Sequence, residues 1–303
     1  MIGEELRAEI EKPARRKGVA PIQQMLALVA SLALIWFVFR TGSEDAKPVS
    51  DGAPSPRVAS TSPAITDSLV ELGLSAHIVG RSGFCTSVPK AVPVIGDLRD
   101  FDAERLALAR PDVLFVQPPI AGTAPELREF CERKSIRIVE RRLDTLDDIA
   151  RLADDIEGVF GASIAPKLAE LRGFLGERPA IASDAPRALV VVSADPFLAV
   201  GRGNYLDDLV AHAGWRNALD ASGWVELSVE SILALKPDRI IAIGEHEAGA
   251  HEIESLLAIL PWQGRQPETR VAAAPILLSP SLAAITRRDE LTRLLGAGEG
   301  DSR

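Results

Sequence analysis

The chain has 303 residues, enough for one or two full hydrophobic cores, and a formal net charge of -9. That sign argues against a nucleic-acid surface. Two cysteines and four histidines, with no CxxC and no Cys/His zinc spacing, argue against a structural zinc site.

Residues 1–20 are polar and basic, with Arg7, Lys12, Arg15, Arg16 and Lys17. Residues 25–39 carry no charge, and with Pro21 to Gln24 the stretch reaches 19 residues, long enough to cross a bilayer. Residues 21–40 are therefore expected to be a single transmembrane helix. Trp36 and Phe39 lie near its far end, where aromatic rings prefer the interface. No good small-x-small cleavage site follows Phe39, which argues against a cleaved signal peptide, and no cysteine stands there for a lipid anchor. The basic flank should stay in the cytoplasm, placing the rest of the chain outside the inner membrane. Residues 41–56, rich in Pro, Ser, Gly and charge, are read as a flexible tether.

Folded sequence is expected from Arg57. A short strand to Ser60 leads to Ser62 as N-cap and Pro63 at the first helical position. That helix ends at Gly73, and a second strand, 77–80, runs into the loop 81–89. Residues 92–95 are extended. A helix is expected from about Pro125 to Lys134, followed by strand 136–139. Thr145 caps a helix to about Gly158, and Ser163 caps another to about Glu177, with no strand signal between them. Strand 188–192 opens the second half. It is followed by the loop 193–205, a helix to His212, the loop 244–252, a helix to Leu260, and a last strand and helix up to Leu295. The expected organisation is an α/β lobe over 57–143, connecting helices over 144–180, a second α/β lobe over 186–296 and a tail at 297–303.

One stretch occurs twice, at an offset of 126 residues: 102–116 and 228–242. Each reads as a capped helix, a Pro-Asp break and a buried strand. Asp102 and Ser228 are N-caps, Glu104 and Glu230 suit the first turn, and Arg110 and Lys236 are placed in the last turn. Pro111 and Pro237 then stop the helix. The apolar runs that follow do not alternate, as expected of strands covered on both faces. Either these are two ordinary helix-to-strand turns or the chain contains two lobes of similar build. The same offset carries Glu126 onto Glu252.

In order and spacing the pattern resembles a known family, the class III periplasmic substrate-binding proteins of ABC importers. These are the helical-backbone receptors for iron-siderophores, haem and vitamin B12. The resemblance rests on Arg57-Val-Ala-Ser-Thr-Ser-Pro-Ala-Ile-Thr-Asp67, Val79-Gly80, the Pro-Asp turns Leu106-Ala-Leu-Ala-Arg-Pro-Asp112 and Ile232-Leu-Ala-Leu-Lys-Pro-Asp238, and the run from Val200 to Asn217 with its Gly201-Arg-Gly-Asn and Ala213-Gly-Trp-Arg-Asn217. It covers about residues 57–295.

The resemblance implies two parallel-sheet α/β lobes joined by a long backbone helix, with ligand held in the cleft between them. Ligands of such folds sit outside the carboxyl ends of the strands. In this chain those ends carry Ser62, Pro63, Phe84, Cys85, Gln117, Phe197, Tyr205, Trp224 and His246. The loop Phe84-Cys-Thr-Ser-Val-Pro89 is most similar to the cobalamin-binding branch, although Leu98 and Gln117 stand where that branch often has aromatics. The implied function is capture of a metal chelate, cobalamin ahead of haem or a ferric siderophore, for delivery to an ABC permease with its ATPase. In the family, acidic residues on each lobe dock to the permease, and Glu126 and Glu252 are the candidates. No catalytic residues or resident cofactor are expected, nor a bare-metal site: His246 and His251 share one loop, but His77 and His212 lie at element ends elsewhere. A membrane-tethered sensor or interaction domain is the alternative function. An extracytoplasmic enzyme is less favoured, because Gly201-x-Gly203 lacks the x-x-Gly continuation and no triad is placed by spacing. Cys85 and Cys131 suit one disulfide or two thiols. The disulfide is not favoured, because their expected places in the fold exceed the roughly 7 Å limit between alpha carbons.

Overall fold

The computed structural model describes residues 55–296 except 98 and 178. The expected span at 21–40, the segment before it, the tether up to residue 54 and the tail lie outside the described residues. Among the described residues no helix is long and apolar enough to cross a membrane.

The first lobe begins with β1 (Val58–Ser60), every residue of which is buried. Helix α1 (Pro63–Glu71) starts as the sequence requires: Ser62 is its N-cap, accepting from the Ile65 backbone N–H, and Pro63 follows at the first position. It stops at Leu72, and Gly73 turns the chain at a φ of 79°. Strands β2 (Ile78–Ser82) and β3 (Val94–Gly96) follow, then α2 (Ala103–Ala109), β4 (Val113–Val116), α3 (Pro125–Arg133) and β5 (Arg137–Glu140). The sheet order is β3-β2-β1-β4-β5, with every neighbouring pair parallel.

The connection consists of α4 (Leu146–Phe160) and α5 (Ala165–Leu175). The long backbone helix implied by the resemblance is thus divided. Gly161, at a φ of 68°, ends α4, and a 3-10 turn over Gly161–Ile164 intervenes. Thr145 and Asp148 form a reciprocal capping box at the start of α4. Ser163 does not cap α5; its hydroxyl donates back to the Phe160 carbonyl at 2.9 Å. Arg172 of α5 reaches Asp154 and Glu157 of α4, both at 2.6 Å, so the two helices lie against each other.

The second lobe contains β6 (Arg187–Ala194), β7 (Phe197–Val200), α6 (Tyr205–His212), β8 (Arg216–Asn217), β9 (Trp224–Leu227), α7 (Val229–Leu235), β10 (Arg239–Gly244), α8 (Glu247–Ala258) and β11 (Glu268–Ala273). Its sheet order is β11-β10-β6-β7-β9. A parallel sheet was expected in both lobes, but this one is mixed. β11, β10 and β6 run parallel, whereas β7 is antiparallel to β6, and β9 to β7. Only two residues, Asp195 and Pro196, separate β6 from β7. So short a link can join only antiparallel strands. Helix α8 begins at Glu247, so most of the expected loop 244–252 is helical.

The repeated Pro-Asp turn has a physical basis in both lobes. Arg110 and Lys236 are not last-turn residues; each is the C-cap, in the left-handed region at φ 46° and 47°. The following proline disfavours the right-handed helical region at that position. Each turn is then tied to the first strand of its lobe. Asp112 accepts the Arg57 backbone N–H at 2.8 Å, and Asp238 accepts that of Arg187 at 2.7 Å. The same two arginines donate through their guanidinium groups to the carbonyls that end the helices, Ala109 and Leu235. These carbonyls have no partner within a helix and would otherwise need water.

The lobes share one hydrophobic core. It runs from Ile65 and Leu69 of α1 through Ile149, Leu152 and Ile156 of α4 to Tyr205, Ile241 and Ile285. Two smaller cores cover the outer faces of the two sheets. After β11, a 3-10 turn (Pro275–Leu278) leads to α9 (Leu282–Thr286) and α10 (Arg288–Leu295). Here the chain returns to the first lobe: the Leu282 N–H donates to Ser68 Oγ at 3.0 Å, and Ser279 Oγ donates to Asp67 at 2.9 Å.

Candidate functional site

The carboxyl ends of β1, β2 and β4 in the first lobe face the end of β10 and the segment after β11 in the second. Between them lies a space of about 600 Å³, lined by Ser62, Pro63, Phe84 and Gln117 from one side and by Glu245 and Leu278 from the other. A second space of about 590 Å³ shares Glu245 and Leu278 and continues over the second lobe past Trp224, His246 and Glu252. The two spaces form one cleft. A third, of about 730 Å³, lies at the amino ends of β10 and β11 beside Trp215 and Trp262. Parallel α/β sheets hold ligands at the opposite end. Much of its charge is already engaged, Arg239 with Glu268 and Asp238 with the Arg187 backbone.

Four predicted residues meet in the first space. Ser62 is fully buried, and its hydroxyl donates to Gln117 Oε1 at 2.6 Å, which leaves the Gln117 NH₂ to donate elsewhere. Pro63 holds the chain in helical geometry beside it. Phe84 is 72% exposed, an unusual position for so large an apolar ring. Its loop is held from beneath by Arg81, which sequence reasoning missed. Arg81 is buried, and its guanidinium donates to the carbonyls of Val92, Ser82 and Cys85. An arginine at the end of a buried strand was the available signal.

Two further predicted residues, Trp224 and His246, face the second space. Trp224 is 46% exposed, and His246 stands immediately before α8. The remaining three lie elsewhere. Cys85 points inward, donating to Thr66 Oγ1 at 3.2 Å, and burial pushes its thiol up from the ordinary range. Cys131 is also buried, its thiol raised to about 11 by desolvation, and both cysteines are free. Phe197 packs with the outer core of the second lobe, while its neighbour Leu198 lines the cleft. Successive strand residues face opposite ways, so the two do not share a face of β7. Glu245, shared by both spaces, belonged to the expected strand end.

Tyr205 is 1% exposed. Its hydroxyl donates to the Leu277 carbonyl at 2.6 Å, and its backbone N–H donates to the Asp144 carbonyl at 2.7 Å. Burial pushes the phenol far above its ordinary range. It braces α6 against the segment leading to α9 instead of facing ligand. Tyr205→Phe should lower the unfolding free energy by about 1–3 kcal/mol, because a buried carbonyl loses its donor. Urea titration should show that loss with ligand affinity unchanged.

Glu126 is the second residue of α3 and Glu252 the sixth of α8, so the 126-residue offset does not place them alike in their helices. Both are exposed. His251 pairs with Glu254 at 3.1 Å, apart from His246. Among the described residues no group of three or more His, Cys, Asp or Glu side chains could hold a metal ion.

Residues 58–132 match the family model described as periplasmic binding protein. A curated relative from Bacillus subtilis (strain 168), an uncharacterized ABC transporter substrate-binding lipoprotein, is 24% identical over 211 residues. The match spans 65% of this chain and 66%, just under two thirds, of that relative. Among solved structures, the periplasmic haem-binding protein BhuT with two haems aligns with a TM-score of 0.62 at 20% identity, covering 80% of this chain and 99% of that one. The periplasmic vitamin B12-binding protein BtuF of Vibrio cholerae aligns at 0.58 and 18% identity, covering 82% and 99%. The haem-binding HutB of the same organism aligns at 0.60 and 16%, covering 80% and 99%. The matched family and these neighbours are binding proteins, not enzymes.

Proposed function

We propose that this chain, which has the fold of the two-lobed periplasmic binding proteins and matches their family over residues 58–132, is an extracytoplasmic solute-binding protein anchored to the membrane. It captures a metal chelate between its lobes and delivers it to an ABC permease with its ATPase. Cobalamin is favoured over haem or a ferric siderophore. Residues 21–40 are the anchor, with the N-terminus cytoplasmic, and Glu126 and Glu252 are the docking residues.

The observation that carries this reading is the cleft of about 600 Å³ in which residues of both lobes converge at strand carboxyl ends. That volume lies within the range of small-molecule sites. Support also comes from the Bacillus relative, named as an ABC substrate-binding lipoprotein, and from neighbours that bind haem or vitamin B12. For cobalamin, the support is the exposed Phe84 ring on one lobe and Trp224 on the other, since a corrin face favours aromatic walls.

The test is thermal unfolding of residues 50–303 with cobalamin, haem, ferric siderophores and zinc. A ligand at 100 times its dissociation constant adds about 2.7 kcal/mol, a midpoint rise of about 5–11 °C for this size. A saturable rise with one chelate supports capture. No rise with any, from a cooperatively folded fragment, favours a membrane-tethered sensor of the same fold.

A further inference from the structure

The charges around the cleft are of one sign. Its described lining includes Asp67, Asp195, Glu245 and Glu252, with His246, and no lysine or arginine. Asp67 accepts from Ser279 at 2.9 Å. Asp195, Glu245 and Glu252 are exposed and form no ion pair among the described residues. Elsewhere arginines are paired freely with carboxylates, as Arg141 is with Asp155 and Arg172 with Asp154 and Glu157. The chain does not lack cations, but among the described residues none lines this cavity; the guanidinium of Arg81, beneath the Phe84 loop, is taken up by backbone carbonyls.

We infer that the cleft selects its solute by charge, taking a neutral or cationic chelate and refusing a polyanionic one. The inference rests on the solute-binding reading above and narrows it. Low-dielectric walls concentrate the field of a cleft lined by one sign of charge. A carboxylate-bearing or polycatecholate chelate entering here would meet Glu245 with no lysine or arginine on the lining to offset it. At the separations such a space allows, each like-charge approach lowers affinity by on the order of tenfold at low salt. A chelate whose periphery carries amides, or a single ammonium, meets no such penalty. Its apolar body can lie against Phe84 and Trp224 while its donors meet the carboxylates.

The experiment measures binding to the full-length chain by quenching of tryptophan fluorescence. The probes are cyanocobalamin, haemin, a neutral ferric trihydroxamate, a ferric trihydroxamate bearing one free ammonium, and a ferric tricatecholate of charge about -3. Salt is set at about 10 mM and about 150 mM, which moves the screening length from about 30 Å to about 8 Å. The inference expects a neutral or cationic probe to bind at least tenfold more tightly than either anionic one. It expects Glu245→Lys with Glu252→Lys to narrow that preference about tenfold and to admit the tricatecholate. The milder Glu245→Gln with Glu252→Gln should move the preference in the same direction by about threefold, and both sites are exposed, so folding should survive. Haemin or the tricatecholate binding as tightly as the neutral probes would overturn charge selection while leaving solute binding intact. So would a lysine variant that still refuses the anion. Binding of no probe by a folded chain removes the solute-binding reading and this inference with it.

Discussion

Ile156→Ala should lower the unfolding free energy by about 3 kcal/mol, within the 2–5 kcal/mol range of large-to-small changes at fully buried sites. Ile156 has no exposed surface. It lies in α4 on a face formed by Ile149, Leu152, Ala153 and Ile156, which recur at the spacing of one helical stripe. That stripe packs into the core that both lobes share. The truncation removes three carbons and leaves a void in the core to which both lobes contribute. A urea titration should show a lower midpoint and a single transition, because no boundary in the core separates the lobes. Leu108→Ala is the control. Leu108 is 73% exposed on α2 and should change stability by less than about 0.5 kcal/mol. An Ile156 loss as small as the control's would mean that α4 does not hold the lobes together.

Gly244→Ala should damage stability and ligand binding together. Gly244 is the last residue of β10 and lines the cleft. A Cβ there would lie 2.5 Å from the Ala250 backbone nitrogen and 2.9 Å from its Cα. Backbone cannot yield as a flexible side chain can, so α8 must shift away from the sheet. Overpacking of this kind costs about 1–3 kcal/mol. The shift would also carry Glu245, His246 and Glu252 out of place, so the ligand-induced rise in melting temperature should shrink or vanish. Gly249→Ala, five residues on, is the contrast. Its Cβ would meet only the His246 ring, with Cε1 at 3.4 Å and Nδ1 at 3.6 Å. Placed inside α8, alanine should be neutral or stabilising by about 0.4–1 kcal/mol, through the lower entropy of the unfolded chain. Equal losses at the two glycines would refute the close approach of β10 and α8.

Local signals were legible where the chemistry was local. The caps at Ser62, Asp102, Thr145 and Ser228 act where their residue types suggest, because an N-cap bond spans only three residues. The Pro-Asp turn was found from spacing, yet the purpose of its aspartate was hidden. Asp112 bonds to Arg57 and Asp238 to Arg187, each more than fifty residues away in sequence. The β6–β7 hairpin was missed because Phe197–Val200 is short and lies in a segment read as loop. In the candidate site, Ser62, Pro63, Phe84 and Gln117, chosen by the rule that ligands lie at strand carboxyl ends, line one space. Cys85 and Tyr205 satisfy the same rule by position but point inward.

By itself the sequence determined the order of elements in the first lobe, the two Pro-Asp turns, the caps at Ser62, Asp102, Thr145 and Ser228, and the strand ends from which a cleft could be built. Each depends on residues within a few positions of one another and on backbone geometry set by side-chain type. Only the tertiary structure decided which residues at those ends face the cleft, how α4 and α5 divide the connection, and that α9 returns to pack on α1. Those outcomes depend on contacts between distant residues such as Ser68 with Leu282 and Tyr205 with Leu277. Such contacts are chosen by competition for buried space, and local sequence does not record which side chain wins it.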